Sequence, residues 1–366
     1  MESADNLELI GCILRVISSF SAITFLLYIK YIDVPAILGY NTLKLSFIRR
    51  ILMIKALILG IAASFFFAFT FIFNYQMNVS GGSWLWSSSL RFLFMLPILF
   101  VILVIKREVR AVFRDIKEQP LPWLLWSTVG FGLFYAPACL ASVYGASWLT
   151  AATWQVTIIA GALMTPLFYH YTETEDGIHR VRNKIPGRSL ALSFIILAGI
   201  FIMQLEEAMG SVDMSSLIGV IPMLIAAFAY PLGNRKMIVL CSSRLTTLQR
   251  VFGMTLCSMP FWVIIAAAGI ATAGPPGKEQ VVQSLIVAVF SGVIATLLFF
   301  KATDMVNHSP SKLAVIESTQ AGEVIFTLLG GVLLFHDRIP TLLGFIGIFI
   351  VVAGMVINSL LSAKKA

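Results

Sequence analysis

The chain has 366 residues, of which 58% are hydrophobic and only 12% are charged. Soluble globular proteins carry about 25% charged residues, and a soluble fold of this size could not bury so much apolar surface. The composition therefore excludes an ordinary soluble protein and indicates a protein of the lipid bilayer. The net charge of +8 does not indicate nucleic-acid binding, because the basic residues lie in short gaps between apolar runs.

Residues 1–50 precede the regular pattern and allow two interpretations. Val16–Tyr31 is apolar but marginal in length, and Arg15 interrupts its upstream end. Acidic residues before this stretch and basic residues after it fit an extra helix whose N-terminus lies outside. The stretch lacks the basic start and small-residue cleavage site of a signal peptide. Alternatively, translation starts at Met53 and the upstream stretch is not part of the protein.

Ten later segments reach the length of about 20 apolar residues that a membrane-crossing helix needs. We number them predicted helices 1 to 10, and the sequence predicts an all-α membrane protein. Their bounds are Ile51–Tyr75, Trp84–Ile105, Pro122–Tyr144, Ser147–Tyr169, Arg188–Leu205, Met214–Leu240, Thr246–Ile270, Val281–Lys301, Ser311–Phe335 and Ile339–Leu361.

The gaps between the predicted helices alternate in charge. The gaps after predicted helices 2, 4, 6 and 8 are basic, and we count Arg235 and Lys236 with the third of these. The gaps after predicted helices 1 and 3 carry no charge, and the gap after predicted helix 5 is acidic. The positive-inside rule then places the start of predicted helix 1 and the C-terminus in the cytoplasm of a cell-membrane protein.

Landmarks recur in the same order in predicted helices 1–5 and 6–10. Arg91 in predicted helix 2 and Arg250 in predicted helix 7 each precede a phenylalanine and then a proline, and an Ala-Gly pair lies in predicted helices 5 and 10. Because five is odd, the second half enters the membrane in the opposite sense. We therefore predict an inverted repeat with halves 51–208 and 209–366, a layout associated with transporters.

Two stretches carry a resemblance to a known family. Residues 130–137 (Gly-Phe-Gly-Leu-Phe-Tyr-Ala-Pro) and Trp148–Gly161 resemble the multidrug resistance efflux branch of the drug/metabolite transporter superfamily. The resemblance covers about Ile51 to Ser362 and implies efflux of small molecules. The small four-helix drug exporters have a membrane-embedded glutamate in helix 1. No carboxylate stands in predicted helix 1 here, so that mechanism cannot be carried over directly.

Two carboxylates interrupt the apolar pattern of predicted helix 9. Charged groups in hydrocarbon are costly and mark functional sites. Glu317 and Glu323 are six residues apart, so a regular helix separates them by roughly 120°, with Gln320 between them. We hypothesise that one of them lines a central cavity and binds a proton or a cationic substrate, because a carboxylate in a low dielectric binds a proton more tightly than in water.

The alternative is that Glu317 forms a structural ion pair. Arg91, Arg250 and Lys312 are its predicted partners. Arg91 lies about two turns into predicted helix 2, where it must be paired or extend towards the surface. Arg91 would contact the substrate itself if the cargo were anionic or zwitterionic.

Three further polar or aromatic residues are candidates for the same site. In the repeat, Trp154 and Gln155 align with Glu317 and its neighbour, and an indole and an amide beside a carboxylate suit a flat cationic ligand. Alternatively, Trp154 faces lipid and Gln155 merely bridges helices. Asn234 belongs to a stretch with Pro231 and a glycine that is predicted to interrupt predicted helix 6, and broken helices often line transporter sites.

The leading functional hypothesis is a proton-coupled exporter of lipophilic or cationic compounds. The alternative is an exporter of a metabolite such as an amino acid or a nucleotide-linked compound. The sequence has no G-x-S-x-G, H-E-x-x-H or P-loop motif, which argues against an enzyme and against ATP as the energy source. Neither the cysteines nor the histidines have metal-ligand spacing, so no metal or cofactor is predicted. A monomer or a homodimer would suffice.

Overall fold

The computed structural model describes most of the chain and is helical throughout, apart from one short hairpin and the connecting loops. The predicted extra helix at Val16–Tyr31 lies outside the described residues. Residues 51–366 form one compact unit. The described residues are 42–174, 177–185, 187–210, 215–241, 244–306, 309–337 and 339–363.

The first half of the chain contains eight α-helical pieces and a hairpin. After α7 the chain forms a 3₁₀ turn, Thr165–Leu167, around Pro166, whose missing N–H prevents a further α-helical hydrogen bond there. Predicted helix 4 therefore ends before Tyr169, which belongs to a strand. The pieces are α1 (Thr42–Val79), α2 (Trp84–Ile105), α3 (Val109–Glu118), α4 (Pro120–Ser127), α5 (Leu133–Ala141), α6 (Ser147–Trp154), α7 (Val156–Leu163), β1 (Tyr169–Thr174), β2 (Gly177–Arg182) and α8 (Gly187–Gly210).

The second half contains eight further helices. They are α9 (Ser215–Cys241), α10 (Thr247–Cys257), α11 (Met259–Ala273), α12 (Lys278–Val287), α13 (Thr296–Asp304), α14 (Pro310–Glu317), α15 (Ala321–Phe335) and α16 (Leu342–Ala363). A π-helical segment, Ala288–Ala295, joins α12 to α13, and another, Thr128–Gly132, joins α4 to α5. A 3₁₀ turn, Ser318–Gln320, separates α14 from α15.

Within the described ranges, six helical stretches are long and apolar enough to cross a membrane. The bent pair α10–α11, which turns by 46° just before Pro260, would be a seventh. The predicted helices 4, 5 and 10 are not among them. Predicted helix 4 divides at Gln155 into two pieces of eight residues. For predicted helices 5 and 10 the apolar stretches among the described side chains are Phe194–Glu206 and Leu342–Ile357, so the number of ten spans remains a prediction.

Two local features differ from what the sequence indicates. The connection between predicted helices 4 and 5, for which the sequence made no structural prediction, contains a short β-hairpin in which Tyr169 pairs with Arg182. The predicted interruption of predicted helix 6 does not occur, because α9 runs continuously through Pro231 and Asn234. The neighbouring helices of a bundle can accommodate the carbonyl that a proline leaves without a donor.

Close backbone contact explains a glycine in α9. Gly233 lies against Gly130 of the first π segment, and a Cβ atom on Gly233 would stand 2.3 Å from the Gly130 Cα. Small residues let membrane helices approach in this way and gain van der Waals contact. Aromatic stacking adds to the packing elsewhere: the rings of Phe92 (α2) and Trp262 (α11) stack with centroids 4.3 Å apart.

We expect Gly233→Ala to destabilise the protein by about 1–3 kcal/mol, since the added methyl group overlaps backbone that cannot rotate away. Gly187→Ala is the matched control, because a Cβ at Gly187 meets nothing within 4 Å. Thermal unfolding in detergent measures both variants. Equal melting temperatures for the two would contradict the close α9 contact.

Candidate functional site

An ion pair ties three helices together beside the candidate site. Arg235 of α9 donates to Glu317, with Nη2 lying 2.8 Å from Oε1 and 3.0 Å from Oε2. The same guanidinium donates from Nη1 to the Gly161 carbonyl at the end of α7, at 2.7 Å. Glu317 is therefore in an ion pair, but its partner is neither Arg91, Arg250 nor Lys312.

The sequence interpretation missed Arg235 as a site residue. It was counted with a basic loop, yet it lies inside α9, directly after Asn234, and its side chain is only 15% exposed. The available signal was its position within the predicted span Met214–Leu240. An arginine inside such a span needs a partner in the protein.

Glu323 differs from Glu317 because no residue that the structure describes is paired with it. It lies in the first turn of α15, and the residue is 1% exposed. Neither carboxylate oxygen forms a hydrogen bond with any residue that the structure describes. Tyr230 of α9 is within electrostatic range of Glu323, and also of Glu317 and Arg91.

A pocket opens beside the Arg235–Glu317 pair. Its empty volume is about 500 Å³, and α7, α9, α13 and α14 contribute most of its wall. Three predicted site residues line it, namely Asn234, Glu317 and Gln320. The other four, Glu323, Trp154, Gln155 and Arg91, are not in its lining. The remaining lining residues are Thr157, Ile158, Tyr230, Pro231, Arg235, Ile238, Arg250, Phe299, Phe300, Thr303 and Leu313.

Three aromatic rings connect this pocket to the buried core. The Tyr230 ring, which lines the pocket, lies 4.7 Å from the Phe134 ring and 5.4 Å from the Trp154 ring, and the latter two are 5.0 Å apart. Trp154 is 3% exposed, so it does not face lipid. We call Phe134, Trp154 and Tyr230 the aromatic cluster. Sequence reasoning found only Trp154, because phenylalanine and tyrosine are too frequent in membrane helices to single out.

Gln155 joins two breaks in the helices. It stands between α6 and α7, and its Nε2 donates to the Gln320 carbonyl in the 3₁₀ turn between α14 and α15, at 3.2 Å. Its Oε1 has no described partner. Helix breaks free backbone groups in the protein interior, which is how transporter sites gain polar contacts at membrane depth.

Arg91 and Arg250, which the predicted repeat aligns, have different surroundings. Arg250 is paired with Asp304 at 3.0 Å. Arg91 is 2% exposed, donates to Thr70 Oγ1 at 3.4 Å, and lies 4.1 Å from the centre of the Tyr135 ring. No carboxylate among the described residues is paired with Arg91.

A hydrogen bond joins the first residue of α6 to the segment that follows α15. Ser147 Oγ donates to Asp337 Oδ2 at 2.6 Å. Burial raises the pKa of Asp337, and the Ser147 hydrogen bond opposes that increase. No group of three histidine, cysteine, aspartate or glutamate side chains that could hold a metal ion occurs within the described ranges.

We expect the Arg235–Glu317 pair to stabilise the fold. Glu317→Gln and Arg235→Gln should each reduce the free energy of unfolding by about 2 kcal/mol, since each leaves a mostly buried charge without its partner. The double variant should lose less than the sum of the two. Arg114→Gln is the control, because that side chain is exposed and forms no ion pair with a described residue. Strictly additive losses in thermal unfolding would contradict the pairing.

Comparison with known proteins agrees with the resemblance seen in the sequence. The family model described as "Putative multidrug resistance efflux transporter" (EmrE) matches residues 54–364. The chain is 52% identical over 311 residues to "Uncharacterized protein YjlA" of Bacillus subtilis (strain 168), covering 85% of this chain and 96% of that protein.

Two further similarities concern a second bacterial protein and a solved structure. The chain is 49% identical over 271 residues to "Uncharacterized 42.1 kDa protein in intracellular alkaline protease 3'region" of Shouchella clausii, covering 74% of this chain and 70% of that one. A solved structure, described only as "Crystal structure of protein", superposes with a TM-score of 0.60 at 12% identity. It covers 85% of this chain and 98% of that one, and it supports the fold alone.

The membrane spans, the polar groups buried among them and the family match all indicate a membrane transporter. The predicted resemblance to the drug/metabolite transporters is confirmed, as is the prediction that the protein is not an enzyme. This chain belongs to the EmrE family described as "Putative multidrug resistance efflux transporter", and it is a multi-pass membrane transporter of small molecules.

Proposed function

We propose that this protein exports lipophilic or cationic small molecules by proton antiport with alternating access. The observation that carries the proposal is Glu323, a buried carboxylate that has no partner among the described residues. Tyr230, which lines the pocket, is within electrostatic range of this carboxylate. Because such a carboxylate binds either a proton or a cationic substrate, binding of one requires release of the other.

The aromatic cluster supports a cationic, flat cargo. Aromatic faces attract cations, most strongly when the site is desolvated, and Trp154 and Tyr230 are both buried. We propose that cargo enters the pocket at Asn234 and Gln320, passes Tyr230 and reaches Glu323. Gln155, which joins the two helix breaks, supplies its free Oε1 as an acceptor on this route.

The Arg235–Glu317 pair has a different role in this proposal. Its charges already compensate one another, so Glu317 is a weaker candidate for proton exchange than Glu323. We propose that the pair closes one end of the route, where it joins α9 and α14 to the end of α7. Its opening would expose the pocket and leave the aromatic cluster in place.

We further propose ten spans in two inverted halves, 51–208 and 209–366. Irregularities at matching places support the repeat. One π segment lies in predicted helix 3 and the other in predicted helix 8, while predicted helices 4 and 9 both break, at Gln155 and at Ser318–Gln320. Packing is also symmetric, since α8 packs on α16 and α6 on α15. Inverted halves provide alternating access by rocking about a central site.

The proposal also includes the membrane in which the protein lies and its oligomeric state. The basic gaps favour a cell-membrane protein with its C-terminus in the cytoplasm. Two repeats within one chain can supply both halves of a central cavity, which favours a functional monomer and is compatible with a homodimer.

Arg91 supports a second candidate function, export of an anionic or zwitterionic metabolite. A buried guanidinium without a described carboxylate partner attracts an anionic group of a ligand. If Arg91 binds cargo, Arg91→Gln should abolish transport of amino acids or nucleotide-linked compounds and leave cation transport unchanged.

We expect proteoliposomes with an imposed pH gradient to move a cationic dye such as ethidium. Glu323→Gln should reduce the rate to that of protein-free liposomes, because the amide cannot exchange a proton. Glu279→Gln is the matched control, since Glu279 is exposed and is not one of the residues that line the pocket.

Gradient-driven dye movement that survives Glu323→Gln would contradict the proposed role of Glu323. No movement in the wild type across a panel of cations would contradict cation export. A positive amino-acid or nucleotide assay would then favour the metabolite exporter.

A further inference from the structure

The short helix α3 is attached to the rest of the protein by one face. Val112 and Asp115 are its buried residues. The Asp115 carboxylate accepts hydrogen bonds from Trp123 Nε1 at 3.0 Å and from Arg244 Nε at 2.8 Å. Trp123 and Val112 both lie against Gly253 of α10. These contacts fix which face of α3 points outwards.

The outward face combines three cations with one aromatic ring. Arg110, Phe113, Arg114 and Lys117 are spaced i, i+3, i+4 and i+7, so they share one side of the helix. All four are exposed, and Phe113 is 40% exposed. The buried Asp115 is already neutralised by Arg244, and Glu118 is the exposed acidic residue of α3.

The apolar surface on either side of α3 indicates its depth. The residue that ends α2, Ile105, is 75% exposed, and Leu121, at the start of α4, is 74% exposed. Exposed apolar side chains of membrane-spanning helices face the acyl chains. A helix between two such ends lies where hydrocarbon gives way to headgroups, which is the depth of interfacial amphipathic helices.

We infer that the outward face of α3 binds the headgroups of anionic phospholipids. Arg110, Arg114 and Lys117 would contact the phosphates, and Phe113 would insert among the adjoining acyl chains. Lys106 and Arg107, both exposed, extend the positive surface towards α2. Because the neighbouring exposed residues face lipid, the partner of this surface is a lipid bilayer and not a soluble polyanion. The inference does not depend on the identity of the cargo.

Binding of phosphatidylglycerol to the full chain in a non-ionic detergent, followed by native mass spectrometry, tests this. Each cation near a bilayer surface strengthens binding roughly fivefold, so the triple variant Arg110→Gln, Arg114→Gln, Lys117→Gln should weaken it by about 100-fold. The control triple removes the same charge elsewhere, at the exposed residues Lys184, Lys278 and Lys301. Phosphatidylcholine and inorganic phosphate are the comparison ligands.

The inference is supported if only the α3 triple loses phosphatidylglycerol, with phosphatidylcholine binding unchanged in all three proteins. It is overturned if the control triple loses as much, or if the α3 triple retains wild-type binding. It is also overturned if inorganic phosphate competes as well as phosphatidylglycerol does, since the site would then bind soluble anions. The α3 variants keep Val112 and the Asp115 pairs, and an unchanged melting temperature checks that they are folded.

Discussion

The cost of a charge in hydrocarbon is the constraint on which the interior of this protein depends. Insertion scales put it at about 2.5–3.5 kcal/mol for one charged residue at the centre of a helix. Arg235 is mostly buried beside Glu317, and Arg250 is buried beside Asp304, which is partly exposed. Glu323 does not follow this rule within the described ranges, because neither of its carboxylate oxygens has a partner there. A buried charge that is left unpaired at this cost is the kind of group that function retains.

Two helix breaks add polar backbone groups to the interior in which Glu323 is buried. An uninterrupted helix presents only side chains to its neighbours, whereas the breaks at Gln155 and at Ser318–Gln320 bring backbone carbonyls into the interior. Gln155 bonds to one of these carbonyls, so the two breaks are in direct contact. Tyr230 lines the pocket and is within electrostatic range of Glu323. The route that we propose for cargo and proton depends on these few contacts.

Sequence reasoning predicted the helical membrane class, the family and most helix bounds, because twenty-residue apolar runs and charged gaps are strong local signals. It singled out both glutamates for the same reason. It could not predict that Glu317 pairs with Arg235, because that contact joins positions 82 residues apart. It also missed the β-hairpin and the continuity of α9. Neighbouring helices decide whether a Pro-Leu-Gly stretch breaks a helix, and a single sequence does not show them.

Proton release on cation binding tests the central claim, that proton and cargo share Glu323, most directly. In a weakly buffered detergent solution, addition of tetraphenylphosphonium to wild-type protein should release about one proton per bound cation, since a cation at the carboxylate displaces the proton held there. Glu323→Gln should release none. Cation binding without proton release in the wild type, or equal release from Glu323→Gln, would contradict the account.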